Sequence, residues 1–134
     1  MMNLATPHRA IVLCLLTAEA WIALAAFDLA RPGGFARLCA RLRDCRPSSR
    51  RGIASPADIV WAVEEACVWY VKRAACLQRS YVATRLLRRH GFAAEMVIGC
   101  RPLPFESHAW VEVGGRVVND LPQYQRAFTV LNRL

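Results

Sequence analysis

The chain has 134 residues, 55% of hydrophobic type, and carries 18 Lys and Arg against 10 Asp and Glu for a formal charge of +8. That length fits one domain, here read as a single domain over 1–134, and so much apolar sequence buries a real core, which excludes a disordered chain. Lys72 is the single lysine; the other basic residues are arginines, densest from Arg37 to Arg51, which reads as a solvated surface or as a docking surface for an acidic peptide or protein. No nucleic-acid-binding motif accompanies the charge, so nucleic acid is not an expected partner.

In chain order, the first segment is strongly apolar. Residues Ala10 to Ala30 are interrupted by Glu19 and Asp28, leaving the charge-free runs Ala10–Ala18 and Ala20–Phe27. Both are shorter than the roughly 20 apolar residues of a membrane span. A signal peptide is a further reading, with His8 and Arg9 as a basic start and Ala23-Leu24-Ala25 as a small-residue cleavage site. Ranked above both is a helix over 8–30 whose Leu13, Leu16, Ala20 and Leu24 recur at three- and four-residue spacing and pack on a core. Pro32-Gly33-Gly34 ends it. A short helix over Phe35–Arg43 follows, then a loop over 44–56. Residues 1–50 thus form a helical extension, and 55–134 the remaining core.

Ser55 is a good N-cap and Pro56 a good first helical residue. The helix they open runs to Tyr70 with Ile59, Val60, Val63, Ala66, Cys67 and Tyr70 inward. A second helix spans Cys76 to His90, closed by Gly91. The period then changes to two: Ala94, Met96, Ile98 and Cys100 alternate with their neighbours as in a strand. A hairpin of Ser107–Val113 and Arg116–Leu121 turns at Gly114-Gly115. The tail from Tyr124 carries no clear signal. The fold class is α+β, helices first and a small antiparallel sheet last.

Six cysteines stand at 14, 39, 45, 67, 76 and 100. Their spacing matches neither a zinc site nor a small disulfide framework, and no phosphate-binding loop is visible, so no metal, cofactor or ATP use is expected. They read as reduced thiols of a cytoplasmic protein, most of them small buried hydrophobes. Cys76 differs, because it opens a helix. A helix N-terminus and a neighbouring imidazolium both favour the thiolate, which is the nucleophile. His108, on a strand expected to pack near that helix start, can supply the imidazole, and Asp120, on the next strand, can orient it. Taken singly each residue has an ordinary structural explanation: a buried thiol, a histidine on a sheet face, a strand-end aspartate.

Register bears on the pairing. A two-residue turn at Gly114-Gly115 sets Ala109 opposite Asp120 and leaves His108 and Asp120 on opposite faces, because side chains alternate. A three-residue loop, or an equivalent bulge, pairs His108 with Asp120 and Glu112 with Arg116. The three-residue loop is therefore expected, with Gly115 in its positive-φ position.

The order Cys76-Leu77-Gln78-Arg79-Ser80, Leu86-Leu87-Arg88-Arg89-His90-Gly91, Val97-Ile98-Gly99, His108-Ala109-Trp110-Val111-Glu112-Val113 and Val117-Val118-Asn119-Asp120 resembles the B-type leader peptidases of lasso-peptide biosynthesis, members of the transglutaminase-like cysteine protease superfamily. The resemblance is close over 76 to about 121 and loose upstream. It implies a transglutaminase-like, papain-like core, with Cys76 as nucleophile, His108 as general base and acid, and Asp120 as the histidine's partner. It implies leader removal from a precursor peptide, with the core passed to a separate ATP-dependent cyclase. No strand-rich segment precedes the peptidase, so the chain looks like the split form, which uses a separate leader-recognition protein. The N-terminal helix and the Arg37–Arg51 stretch are candidate docking surfaces for it. Acyl transfer needs oxyanion donors; the Cys76 N–H is one, and the second is not evident, since Gln78 follows the nucleophile. Other readings are an amine acyltransferase using the same residues, a precursor-binding scaffold without catalysis, and an exported or membrane-associated protein.

Overall fold

The computed structural model describes residues 6–134. Helix α1 covers Pro7–Ala30 and runs into a short 3-10 turn, Arg31–Gly33; α2 is Phe35–Asp44, α3 Pro56–Val68 and α4 Cys76–Arg89. Strands β1 (Ala94–Pro102), β2 (Phe105–Val113) and β3 (Arg116–Val117) follow, then a single helical turn α5 (Tyr124–Ala127) and β4 (Thr129–Arg133). The sheet is antiparallel with order β3-β2-β1-β4. The α+β expectation, helices first and sheet last, is met.

Local chemistry explains the element starts. Ser55 and Asp58 form a reciprocal capping box at α3: the Asp58 N–H donates to Ser55 Oγ at 3.1 Å, and the Ser55 N–H donates to Asp58 Oδ2 at 3.0 Å. Pro56 fills the first helical position, where its missing N–H costs nothing. Of the expected inward residues on α3, Ile59, Val63 and Ala66 are buried, while Val60, Cys67 and Tyr70 are half-buried.

Helix α1 buries Leu13, Leu16, Ala20 and Leu24, the stripe expected from spacing, together with Phe27, and packs on α3 and α4. Within Pro7–Gly33 an 18-residue stretch reaches a mean hydropathy of 2.2, enough by length and composition alone to cross a membrane despite the segment's two acidic residues, a test that the core helix of a soluble protein also passes. Both acidic residues are engaged: Glu19 with Arg89 and His90, Asp28 with Lys72, Tyr70 and Gln78. One core joins α1 through α4 to the inner sheet face, with Leu24, Leu42, Ile59, Leu87, Met96 and Val111 at its centre. Val97, Trp110 and Phe128 form a second cluster. Alternation places Val97 and Trp110 on the face away from Met96 and Val111, so the middle of the sheet is covered on both sides.

Arg88 ties the core together. Its buried guanidinium donates to four carbonyls: Leu42 at 2.6 Å, Ala94 at 2.8 Å, Leu134 at 2.9 Å and Cys45 at 3.1 Å. One side chain thus closes the end of α2, the start of β1 and the C-terminal strand against α4.

Gly91 follows α4 with φ 92°, and a Cβ there would lie 2.9 Å from the Arg50 carbonyl oxygen. Both the left-handed backbone and the close approach demand glycine. Gly91→Ala is expected to destabilise the fold by about 1–3 kcal/mol, read as a lowered urea midpoint at unchanged slope.

Two expectations are corrected here. The tail carries a fourth strand, β4, paired with β1 and interrupted by a register shift at Ile98/Gly99. Its residues are mostly exposed, as on an edge, so period-two patterning is weak. Of the cysteines only Cys39 is buried; Cys14 is exposed, and Cys45, Cys67, Cys76 and Cys100 are half-buried. Cys14 falls on α1 beside the Leu13–Leu16 stripe rather than in it.

Candidate active site

The candidate residues lie on α4, on β2, which packs against it, and on the segment that follows β3. His108 Nε2 stands 2.7 Å from Asp120 Oδ2, and both side chains are 16% exposed. With Nε2–H donated to that carboxylate, Nδ1 carries the free lone pair. The ring packs against Tyr124, with centroids 4.6 Å apart, and against Phe128 and Trp110 at 5.8 and 6.2 Å. The aromatic wall fixes the ring plane, and two of its three rings come from the tail, where no sequence signal pointed to them.

The hairpin reaches this pairing by a route different from the expected one. Its turn is the two-residue kind, with Gly114 at φ 59° and Gly115 at φ 76°, and Val113 opposite Arg116. In that register Asp120 should face away from His108. The ladder ends first. The Val118 N–H donates to the Val111 carbonyl at 2.9 Å, but the return bond from the Val111 N–H goes to Asn119 Oδ1 at 2.7 Å. The Asn119 side chain replaces the backbone acceptor, the chain peels off β2, and Asp120 turns back towards His108. Parity is broken at the strand end and not in the turn, so the expected three-residue loop is wrong while the pairing it was invoked to explain is present.

The expected Glu112–Arg116 pair is also replaced. Glu112 is buried, accepts from Trp110 Nε1 and pairs with Arg133 on β4, both at 2.9 Å. Burial pushes its carboxyl up, but hydrogen bonds from Trp110, Arg133 and Gln125 outweigh this and hold it below its ordinary value. A carboxyl depressed on folding contributes stability above its unfolded pKa and loses it as pH falls through the lower folded one. Melting temperature measured against pH should therefore fall through and below the ordinary carboxylate range in the wild type. Glu112→Gln should be less stable at neutral pH, and the gap should narrow on acidification.

Cys76 is the first residue of α4 and is half-buried. Its N-cap, Ala75, makes no side-chain cap and no acidic residue lies in the first turn, so the first-turn N–H groups point outward unclaimed by a cap. One turn on, Ser80 Oγ donates to the Ala109 carbonyl at 3.0 Å, on the side of β2 where β3 is absent. Ser80, one turn after Cys76, thus fixes α4 at the open edge of β2, at the residue that follows His108. Gln78 is spoken for elsewhere: its side chain donates to the Leu24 carbonyl at 3.1 Å and to Asp28 Oδ2 at 3.2 Å, anchoring α4 on α1. Burial raises the pKa of Cys39, and raises that of Cys67, with help from Glu64, to about 11. Next to Ala75 and Leu77 opens a cavity of about 350 Å³, with Phe27 and Phe35 on its apolar wall and Arg31, Lys72 and Arg73 among its lining.

The model of a family described as transglutaminase-like superfamily matches residues 20–133. The chain belongs to the transglutaminase-like superfamily. The superfamily expectation drawn from motif order is thus met. Among curated relatives, the microcin J25-processing protein McjB of Escherichia coli is 46% identical over 56 residues, which is 42% of this chain and 27% of that protein. The match therefore spans about a quarter of the relative's length. No solved structure matches. Among the described residues there is no cluster of His, Cys, Asp and Glu able to hold a metal ion.

Proposed function

We propose that this superfamily member is a cysteine endopeptidase that removes the leader from a lasso-peptide precursor. The observation that carries the reading is the His108–Asp120 hydrogen bond, its histidine on the strand that packs against α4, the helix that Cys76 opens. The partial likeness to a protein named for processing microcin J25 supports the substrate class.

The chemistry follows from the groups present. His108 Nδ1 takes the Cys76 proton, and the thiolate adds to the scissile carbonyl. The N–H groups at the uncapped α4 start, Cys76's own among them, donate to the developing oxyanion. The imidazolium, steadied by Asp120, passes its proton to the leaving amine as the peptide C–N bond breaks. A water molecule, deprotonated by His108, then hydrolyses the thioester, releasing the leader carboxylate and regenerating the thiol. The freed core peptide passes to a separate cyclase.

A separate leader-recognition protein is the second expected partner. The outer face of α1 supports a docking role, since Ile11, Leu15, Ile22 and Leu29 are all exposed there. Beside them a groove of about 500 Å³ between α1 and α3 is walled by Trp21, Trp61 and Trp69.

The test is mass spectrometry of a lasso precursor incubated with the protein and a leader-binding partner. Loss of the leader mass with wild type and its retention with Cys76→Ala is the expected result. Equal cleavage by both proteins would sink the mechanism. An amide product in place of the leader carboxylate would reassign the chain as an amine acyltransferase.

A further inference from the structure

Each of the three residues assigned to catalysis has a neighbour in one continuous hydrogen-bonded chain. Ser80 lies one helical turn after Cys76 on α4, Ala109 follows His108 on β2, and Asn119 precedes Asp120. Ser80 Oγ donates to the Ala109 carbonyl at 3.0 Å and accepts from Asn119 Nδ2 at 3.1 Å. Asn119 Oδ1 accepts from the Val111 N–H at 2.7 Å. Ser80 is almost wholly buried, at 1% exposed. Its hydroxyl therefore has both its donor and its acceptor role used inside the protein, and the Asn119 amide bonds through both ends.

We propose that Ser80 and Asn119 are positioning residues that lock Cys76, His108 and Asp120 into one frame; the inference rests on the reading of those three as the catalytic set. The physical need is plain. The nucleophile sits on a helix, the histidine on a strand and the aspartate on a segment that has left the sheet, so no single element fixes their mutual distance. A misplacement of about 1 Å in such a set costs on the order of a hundredfold in rate. Backbone pairing cannot supply the constraint, because β3 ends before the level of His108. A buried hydroxyl and a carboxamide, each with fixed donor and acceptor roles, can supply it, and they bond the helix, the strand and the departing chain at one point.

The charge of the pair reports this positioning without a substrate. An imidazolium held beside the Cys76 thiolate draws an anionic alkylating agent, so Cys76 should react faster with iodoacetate than with iodoacetamide at neutral pH. Peptide mass mapping separates Cys76 from the other thiols. In wild type the preference is expected, and His108→Ala should abolish it. Ser80→Ala and Asn119→Ala should each reduce it about tenfold, and the double variant should be no worse than the singles, since one chain of bonds is broken in all of them. With precursor peptide, kcat should fall and KM should hold.

Thr84→Val is the control for a merely structural effect. Thr84 is buried on the same helix and its hydroxyl bonds only to the Ser80 carbonyl, at 2.8 Å, so its loss should leave the preference intact. A wild-type preference that survives in both Ser80→Ala and Asn119→Ala overturns the inference, as does an equal loss in Thr84→Val. If Ser80→Ala fails to fold, Asn119→Ala alone decides. A wild type with no preference, unchanged by His108→Ala, overturns the catalytic reading and this inference with it.

Discussion

Replacing Asp120 with asparagine should lower precursor cleavage by about 10³- to 10⁴-fold while leaving the melting temperature nearly unchanged. The carboxylate does two things at once. Oδ2 receives His108 Nε2 at 2.7 Å, and Oδ1 accepts the Leu121 N–H at 2.9 Å, which fixes the carboxylate plane. Asparagine can keep the backbone bond. If its carbonyl oxygen takes that role, its NH₂ faces Nε2 and favours the tautomer with the proton on Nδ1, the nitrogen needed as base. His108→Ala should be at least as severe, and Cys76→Ala should leave no cleavage, because no thioester can form. Losses of residues that act as a unit do not add, so Cys76→Ala/Asp120→Asn should match Cys76→Ala. Cleavage of a precursor peptide followed by mass spectrometry measures all of these. A fully active Asp120→Asn would remove Asp120 from the mechanism and leave the observed pair a structural one.

Arg88→Leu should be the most damaging substitution outside the site, costing about 3–5 kcal/mol of folding free energy. Burial works against the guanidinium, lowering its pKa, and Cys45 and Glu95 offset this only in part. The charge is kept by its hydrogen bonds to the carbonyls of Leu42, Cys45, Ala94 and Leu134. Leucine would remove the Arg88 donors from all four carbonyls; Leu42 and Leu134 would keep the backbone N–H groups of Cys45 and Met96, and each buried acceptor left without a donor costs roughly 1–3 kcal/mol. For a chain of this size the loss corresponds to a fall in melting temperature on the order of 10–20 °C. Arg88→Lys should recover little of it, since an ammonium cannot reproduce the planar fork that reaches α2, β1 and β4 together. Calorimetry of the three proteins decides; a melting temperature of Arg88→Leu close to wild type would mean that the carbonyls find other donors.

The helices were legible because their signals are local. Spacing of Leu13, Leu16, Ala20 and Leu24, the Ser55-Pro56 start and the Gly91 stop are each read from a few neighbouring residues, and the structure meets all three. Cys76 at a helix start and the His108–Asp120 order along the chain could be read in the same way. What the order could not supply was the route by which the two meet. Register arithmetic assumes that strands stay paired, and it required a three-residue loop. The tertiary structure instead keeps the tight Gly114-Gly115 turn and lets Asn119 end the ladder, a choice made possible by Ser80 arriving from α4.

The remaining surprises share that cause. Glu112 looked like a surface partner for Arg116, yet β4 places Arg133 beside it and buries it. Tyr124 and Phe128 sit in a tail without patterning, yet they supply two of the three rings on which His108 rests. By itself the sequence determined where the long helices lie, which residues are candidates for the chemistry and which superfamily the chain belongs to, since these are encoded by residue type and near spacing. Only the tertiary structure decided who faces whom across the sheet edge, because a buried hydrogen bond is set by the arrival of a partner from far along the chain.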